Sequence, residues 1–364
     1  MTTTDNPTDV RWLIDAYQVW VETEGVQVVE DVAVDLLAVP TGPWPRMGVD
    51  GSFVHLHSRG DLCSLYVLDI PPGGATDTVH HMYEAVYLVL DGQGSTVVEG
   101  PEGDQRSFEW GTGSLFGLPL NAPYRLYNSS GRNRARIAVV ANLPMVMKQF
   151  RDAAFVFGTD RQFPERWGEE RFYRGEGIFI PTFEMRHMWE TNLVPDVLTF
   201  DRMIDSPNRG AGSSNIQFVL GESTMRAHIS AVGVGDYKKA HIHGEGVHII
   251  QLGDAGYSLY WLEGQEPRRV DWKFGMLHAP ADQEWHQHFN VGDSPGRYLP
   301  VSYGNFRYPF TKANVANVLH RYEVKSKIQI EYEDEDPRIR QMFNEERAKW
   351  RANHSGAGRG TAAS

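Results

Sequence analysis

The chain has 364 residues, 41% of them hydrophobic, which is enough for two cores of ordinary domain size. Its 36 glycines, 20 prolines and 12% aromatics favour short strands joined by turns over a helical bundle. A net charge of -12 argues against a nucleic-acid partner, whose phosphates need a basic patch. A lone cysteine, Cys63, excludes an internal disulfide framework and a thiolate metal site, so a reduced, cytoplasmic protein with Cys63 as a buried apolar residue is expected. The opening MTTTDNPTDV has no basic stretch ahead of an apolar one, so no secretion signal is expected, and no run nears the ~20 apolar residues of a membrane span.

In chain order, an N-terminal arm (1–45) contains residues 8–24, where Leu13, Tyr17 and Trp20 stand at helical spacing. A first β unit covers 46–145, with short β-rich runs at 64–70 and 86–90 bounded by Gly, Pro or Asp. The aromatic and charged segment 146–195 is expected to pack between or across two units. A second β unit covers 196–310, with a strand at 247–251. The extension 311–351 holds a charged helix over 337–351 that makes contact through Met342, Phe343 and Trp350. The acidic run 331–336 reads as a solvated face ahead of that helix, and 352–364 as a disordered tail.

The two units are a diverged duplication. A step of 161 relates Gly60 to Gly221, His80 to His241, Glu84 to Glu245, Val86 to Val247 and Gly92 to Gly253. After a one-residue insertion, a step of 162 relates Gly94 to Gly256, Trp110 to Trp272, Gly113 to Gly275, Leu115 to Leu277 and Asn128 to Asn290.

Seven of the 14 histidines fall between residues 228 and 288. His241 and His243 share a strand face, Gly244-Glu245-Gly246 turns the chain, and His248 opens the next strand. Some forty residues on, His286, His288 and Asn290 lie on one strand face. Neutral imidazole is the commonest protein ligand for transition metals, so His241, His243, His248 and His286 are expected to hold one divalent ion. In the first unit His80, Met82, Tyr87 and Tyr124 stand opposite these four, which leaves one potential ligand. That unit is expected to be structural or to shape the other's pocket, with His81 facing away from His80.

These residues resemble the cupin superfamily. Its first motif reads here as Gly235, then His241-Ile242-His243, then His248 where a Glu is usual, then Gly253 and Gly256. Its second reads Pro280, His286 and Asn290, with a gap one residue longer than usual before His286. That gap leaves both His286 and His288 open as the last ligand, and the three-residue spacing to Asn290 favours His286. The resemblance implies an all-β protein of two tandem cupin barrels with flanking helices. Cupins commonly pair through sheet edges, so a homo-oligomer is expected.

Imidazoles leave the ion's charge uncompensated, which favours a small anionic chelating substrate. With Fe(II), such a substrate can pass electron density to O2 and undergo carbon–carbon cleavage. The resemblance extends to two-cupin, gentisate-type ring-cleaving dioxygenases, and implies an Fe(II) enzyme acting on an aromatic hydroxy acid. Mn, Zn or Ni are alternatives to Fe(II), and no nucleotide or flavin is expected: Gly100–Asp104 and Gly210–Ser213 read as turns rather than phosphate loops. Arg226 is the expected carboxylate anchor, with His228, Trp285 and Tyr257 lining the pocket. A second reading is a Mn or Zn isomerase, decarboxylase or lyase that does not use O2, with His288 or Glu245 as general base. A third is a bicupin that binds a small ligand without catalysis.

Overall fold

The structure, a computed structural model, describes residues 14–57, 62–182, 187–242, 247–309 and 328–355. Two β-barrels follow one another, each made of one large and one small sheet, as the tandem cupin architecture requires. In the first barrel the large sheet runs in the order 27–31, 49–56, 64–70, 135–141, 85–91, 115–117 and 193–194, and the small one 124–128, 93–99 and 105–111. In the second the large sheet runs 178–180, 188–191, 214–220, 225–232, 296–303, 248–251, 276–278 and 33–35, and the small one 268–271, 256–261 and 285–290.

Burial explains the sequence texture of these strands. Ala85–Asp91 is buried at every position but its last, because one face looks into its own barrel and the other meets the second barrel. Leu65, Val67, Val86 and Leu88 pack there against Ala227, Ile229, Ile250 and Leu299. A strand covered on both sides reads as a continuous apolar run. Gln93–Glu99, in a small sheet, instead alternates exposed and buried residues.

A short strand near the start of each repeat crosses to the other barrel. Ala33–Asp35, within the N-terminal arm, pairs with Met276–His278 of the second barrel. Leu193–Val194, within the 146–195 segment, pairs with Leu115–Gly117 of the first. Matching arginines fix both crossings: Arg136 donates from Nη1 to Leu36 and Leu37 oxygens at 2.9 and 2.8 Å, and Arg297 donates to those of Val197 and Leu198 at 3.1 and 2.9 Å.

Helix Ala16–Glu24 starts where Asp15 accepts from the amides of Tyr17 and Gln18, and ends at Gly25 in the left-handed region. It buries Tyr17, Trp20 and Val21 against the first barrel, while Leu13 and the residues before it lie outside the described residues. The C-terminal helix, Pro337–His354, is capped by Asp336 and buries Ile339 and Phe343 on the outer face of the second small sheet. Met342 and Trp350 pack partly against the same cluster. Cys63 is buried, and burial pushes its thiol up to about 12, so it is inert. Among the described residues no helix is long and apolar enough to cross a membrane.

Candidate metal centre and cavity

Sheet registers correct the duplication step in the histidine region. Backbone bridges join Val79 to Tyr124 in the first barrel and His241 to His286 in the second, so His241 answers to Val79, not His80. The step of 162 therefore holds there too. Inside the barrels it matches Tyr66 with His228, Tyr87 with Ile249, Phe116 with His278, Tyr124 with His286 and Leu126 with His288. An aromatic, space-filling interior has become one lined with imidazoles.

In the first barrel His81, not His80, points inward. It is buried, stacks on Tyr83 at 3.6 Å and uses Nδ1 to donate to the Tyr83 carbonyl at 2.8 Å. Its Nε2 then faces the Tyr124 hydroxyl at 3.2 Å, and Tyr87 donates to Tyr124 at 2.9 Å. Burial pulls His81 down to about 4, so the imidazole is neutral and satisfied by phenols. His81 thus faces away from His80 as expected, but the inward one of the two is His81, which corrects the placing of His80 opposite the second unit's ligands.

In the second barrel His241 and His286 sit on paired backbones with ring centroids 4.2 Å apart. His288 follows on the same inner face, 5.6 Å from His286 and 6.3 Å from His241. The Nδ1 of His241 contacts the Lys239 carbonyl at 3.0 Å; a carbonyl only accepts, so Nδ1 carries the proton and Nε2 is the donor nitrogen. His286 makes the corresponding contact with the Glu284 carbonyl at 3.4 Å. His288 is joined through Nδ1 to Ser258 Oγ at 2.8 Å, which also accepts from Trp272 Nε1 at 2.8 Å.

His243 and Glu245 lie outside the described residues. Among the described residues no three His, Cys, Asp or Glu side chains form an ion-holding group by themselves. The donor set nevertheless suits a transition ion: two imidazoles with carbonyl-fixed tautomers lie side by side, and a third is on the same face.

His248 is placed differently from its expected role. Val247 and Ile249 line the cavity, and side chains alternate, so His248 faces away from it. Its partner across the sheet is Val301, which belongs to the apolar layer between barrels. Tyr257 and Trp285 are also corrected. Both occupy the outer face of the small sheet, where Tyr257 stacks on Phe289 at 4.6 Å beneath the C-terminal helix. They form packing, not a substrate wall.

Arg226 and His228 do line the cavity, which has a volume of about 90 Å³ and is also bordered by His241 and His288. Arg226 has its Nε buried without a hydrogen-bond partner, and burial lowers its guanidinium to about 10, so it stays charged at neutral pH. Arg209 and Lys238, which the sequence reading passed over, complete a cationic wall. Lys238 is 3% exposed, its Nζ donates to Ser230 Oγ at 2.5 Å, and burial pulls its amine down to about 7. Among the described lining residues none is Asp or Glu. Two acceptors in the lining, Gln217 Oε1 and Asn215 Oδ1, are buried without a donor. Outside the lining, on the strand paired with Ile249, His278 is joined to Gln251 at 2.8 Å and to the Tyr260 hydroxyl, and burial lowers it to about 3.

A bulge hid Lys238 from the sequence reading. Tyr237 bridges Phe289 while His241 bridges His286, so the strand carries one extra residue between the two pairs. Lys238 and His241 can then both point inward although they are three apart. Strict alternation would have put them on opposite faces.

No protein family's sequence profile matches the chain, and no curated protein matches it. Solved structures do. A mutant form of Bacillus subtilis oxalate decarboxylase is 12% identical with a TM-score of 0.49, over 76% of this chain and 78% of that one. A structure of the same enzyme concerned with its Mn(II) centres is 12% identical at 0.48, with the same coverage. One concerned with its substrate binding mode is 13% identical at 0.48, again with the same coverage. The likeness is one of fold, and nothing about chemistry follows from it.

Proposed function

We propose that the protein is a metal-dependent lyase, decarboxylase or isomerase acting on a short hydroxy or oxo acid, and that His241, His243 and His286 hold the ion. The observation that carries this reading is the cavity beside His241: about 90 Å³, with Arg209, Arg226 and Lys238 in its wall and no acid among the described lining residues. A wall that carries Arg209, Arg226 and Lys238 suits an anionic ligand. The polar, cationic lining, with Gln217 and Asn215 among its residues, suits a short acid better than an apolar ring, which favours the reading without O2 over the Fe(II) dioxygenase.

A divalent ion at these imidazoles would supply Lewis-acid polarisation of the substrate's oxygens. The protein's own groups divide the remaining work. Arg226 grips a carboxylate through its fork of donors, and Arg209 and Lys238 take a second anionic group. Gln217 Oε1 and Asn215 Oδ1 are acceptors that a substrate hydroxyl can use in addition. His288 lines the cavity and is oriented by Ser258, which suits it to move a proton.

The test is to load the purified protein separately with Mn(II), Zn(II) and Fe(II), offer short hydroxy and oxo dicarboxylates, and record products by NMR beside an oxygen electrode. Product without oxygen uptake is expected. Oxygen consumed in step with product would restore the dioxygenase reading, and ligand-induced stabilisation without any product would favour a binding protein.

A further inference from the structure

The C-terminal extension reaches back to the cavity as a strap. Gln329 forms a bridge with His241: the Ile242 amide donates to the Ile328 oxygen at 3.0 Å, and the Ile330 amide donates to the Ala240 oxygen at 2.9 Å. The strand that carries His241 thus lies between Trp285–Asn290 on one side and the strap on the other. Further along, Glu335 accepts from Gln287 Nε2 at 2.7 Å and from the Tyr237 hydroxyl at 2.8 Å. The acidic run expected to be a solvated face is therefore partly a set of tethers to the histidine strands.

The orientation of the Gln329 amide is fixed by its partners. Nε2 donates to the Asn208 carbonyl at 3.1 Å and to Glu331 Oε1 at 2.9 Å, both of which can only accept. Oε1 is thereby turned to Arg209, whose Nη1 donates to it at 3.2 Å. Gln329 is itself buried at 8% exposure. One amide thus grips both the backbone and the guanidinium of the turn Pro207–Arg209, and the Lys239 amide ties that turn to the histidine strand by donating to the Arg209 oxygen at 2.9 Å.

We propose that Gln329 is a positioning residue: from the C-terminal strap it aims the Arg209 guanidinium at the anionic substrate in the cavity. This rests on the substrate class proposed above. Preorganising a long side chain removes the entropy of ordering it at each binding event.

The test is isothermal titration of malonate and of sulfate into wild-type protein and into Gln329→Ala, Arg209→Ala and the double variant. Gln329→Ala is expected to weaken malonate binding about five- to tenfold. It should cost nothing further once Arg209 is gone, because the two residues act as one unit. Mn(II) affinity, followed by paramagnetic resonance, should not change, since the backbone pairing beside His241 survives the substitution. Gln329→Met keeps the side chain's length without its acceptor and takes the place of the alanine variant if that one misfolds. Unchanged malonate binding, or losses that add in the double variant, would overturn the inference alone. Wild-type protein that binds neither anion would overturn the proposed substrate class and this inference with it.

Discussion

An imidazole becomes a dependable metal donor only when its other nitrogen is occupied, and His241 meets that condition through the Lys239 carbonyl at 3.0 Å. His286 meets it through Glu284. His248 fails on direction, because it faces the apolar layer between barrels while Val247 and Ile249 take the inward positions. This separates two substitutions that look equivalent in the sequence. His286→Ala should lower metal affinity by more than ~100-fold, beyond the usual effect of losing an outer-shell partner. His248→Ala should leave bound metal at the wild-type level and act on stability alone, by about 1–3 kcal/mol for a buried truncation. Elemental analysis after dialysis, beside a urea melt, reads both; equal metal loss in the two would return His248 to the ligand set.

Among the elements, the asparagine that ends both Tyr124–Asn128 and Trp285–Asn290 shows what its retention across the duplication means physically. Asn290 Nδ2 donates to the oxygens of Val232, Gly233 and Ser294 at 3.3, 2.9 and 2.7 Å. Asn128 does the same for Ile70, Pro71 and Asn133 at 3.0, 3.1 and 2.8 Å, in a barrel without the histidine face. Its role is therefore to staple two loops to the small sheet and not to bind an ion. The tryptophans agree: Trp110 donates to Thr96 and Trp272 to Ser258, each lying over a glycine, Gly94 or Gly256, where a Cβ would meet the ring within about 2.4 Å. Truncating Asn290 leaves buried carbonyls without a donor, which costs about 1–3 kcal/mol. Asn290→Ala and Asn128→Ala should lose similar stability in urea denaturation. A loss confined to Asn290 would mean that the site, and not the staple, uses it.

Across the whole molecule, the crossed strands make each barrel incomplete without the other. Leu36 donates its amide to Gly275 and Val197 to Gly113, and both residues belong to the apolar layer between the barrels. Glu84 of the first barrel, which is buried, also accepts from the Thr224 amide of the second at 3.0 Å and from Arg166 at 2.5 Å. Calorimetry should therefore show one unfolding transition whose van't Hoff and measured enthalpies agree. Two resolved transitions would mean that the barrels fold independently.

The sequence alone determined the doubling, the all-β character, the histidine concentration in the second unit and the two terminal helices, because each is written in local periodicity or in the order of matching residues. His241, His286, His288, Arg226 and His228 were found in this way, and all five border or adjoin the cavity. Only the tertiary structure decided which way His248, His81 and Lys238 point. A single-residue bulge or a strand start displaced by one position reverses facing without changing composition. It alone also showed that Tyr257 packs under a helix, that Trp285 lies on the outer face of the small sheet, and that residues near position 330 reach a site some ninety positions earlier. Those contacts join segments distant in the chain, and local pattern carries no record of such pairings.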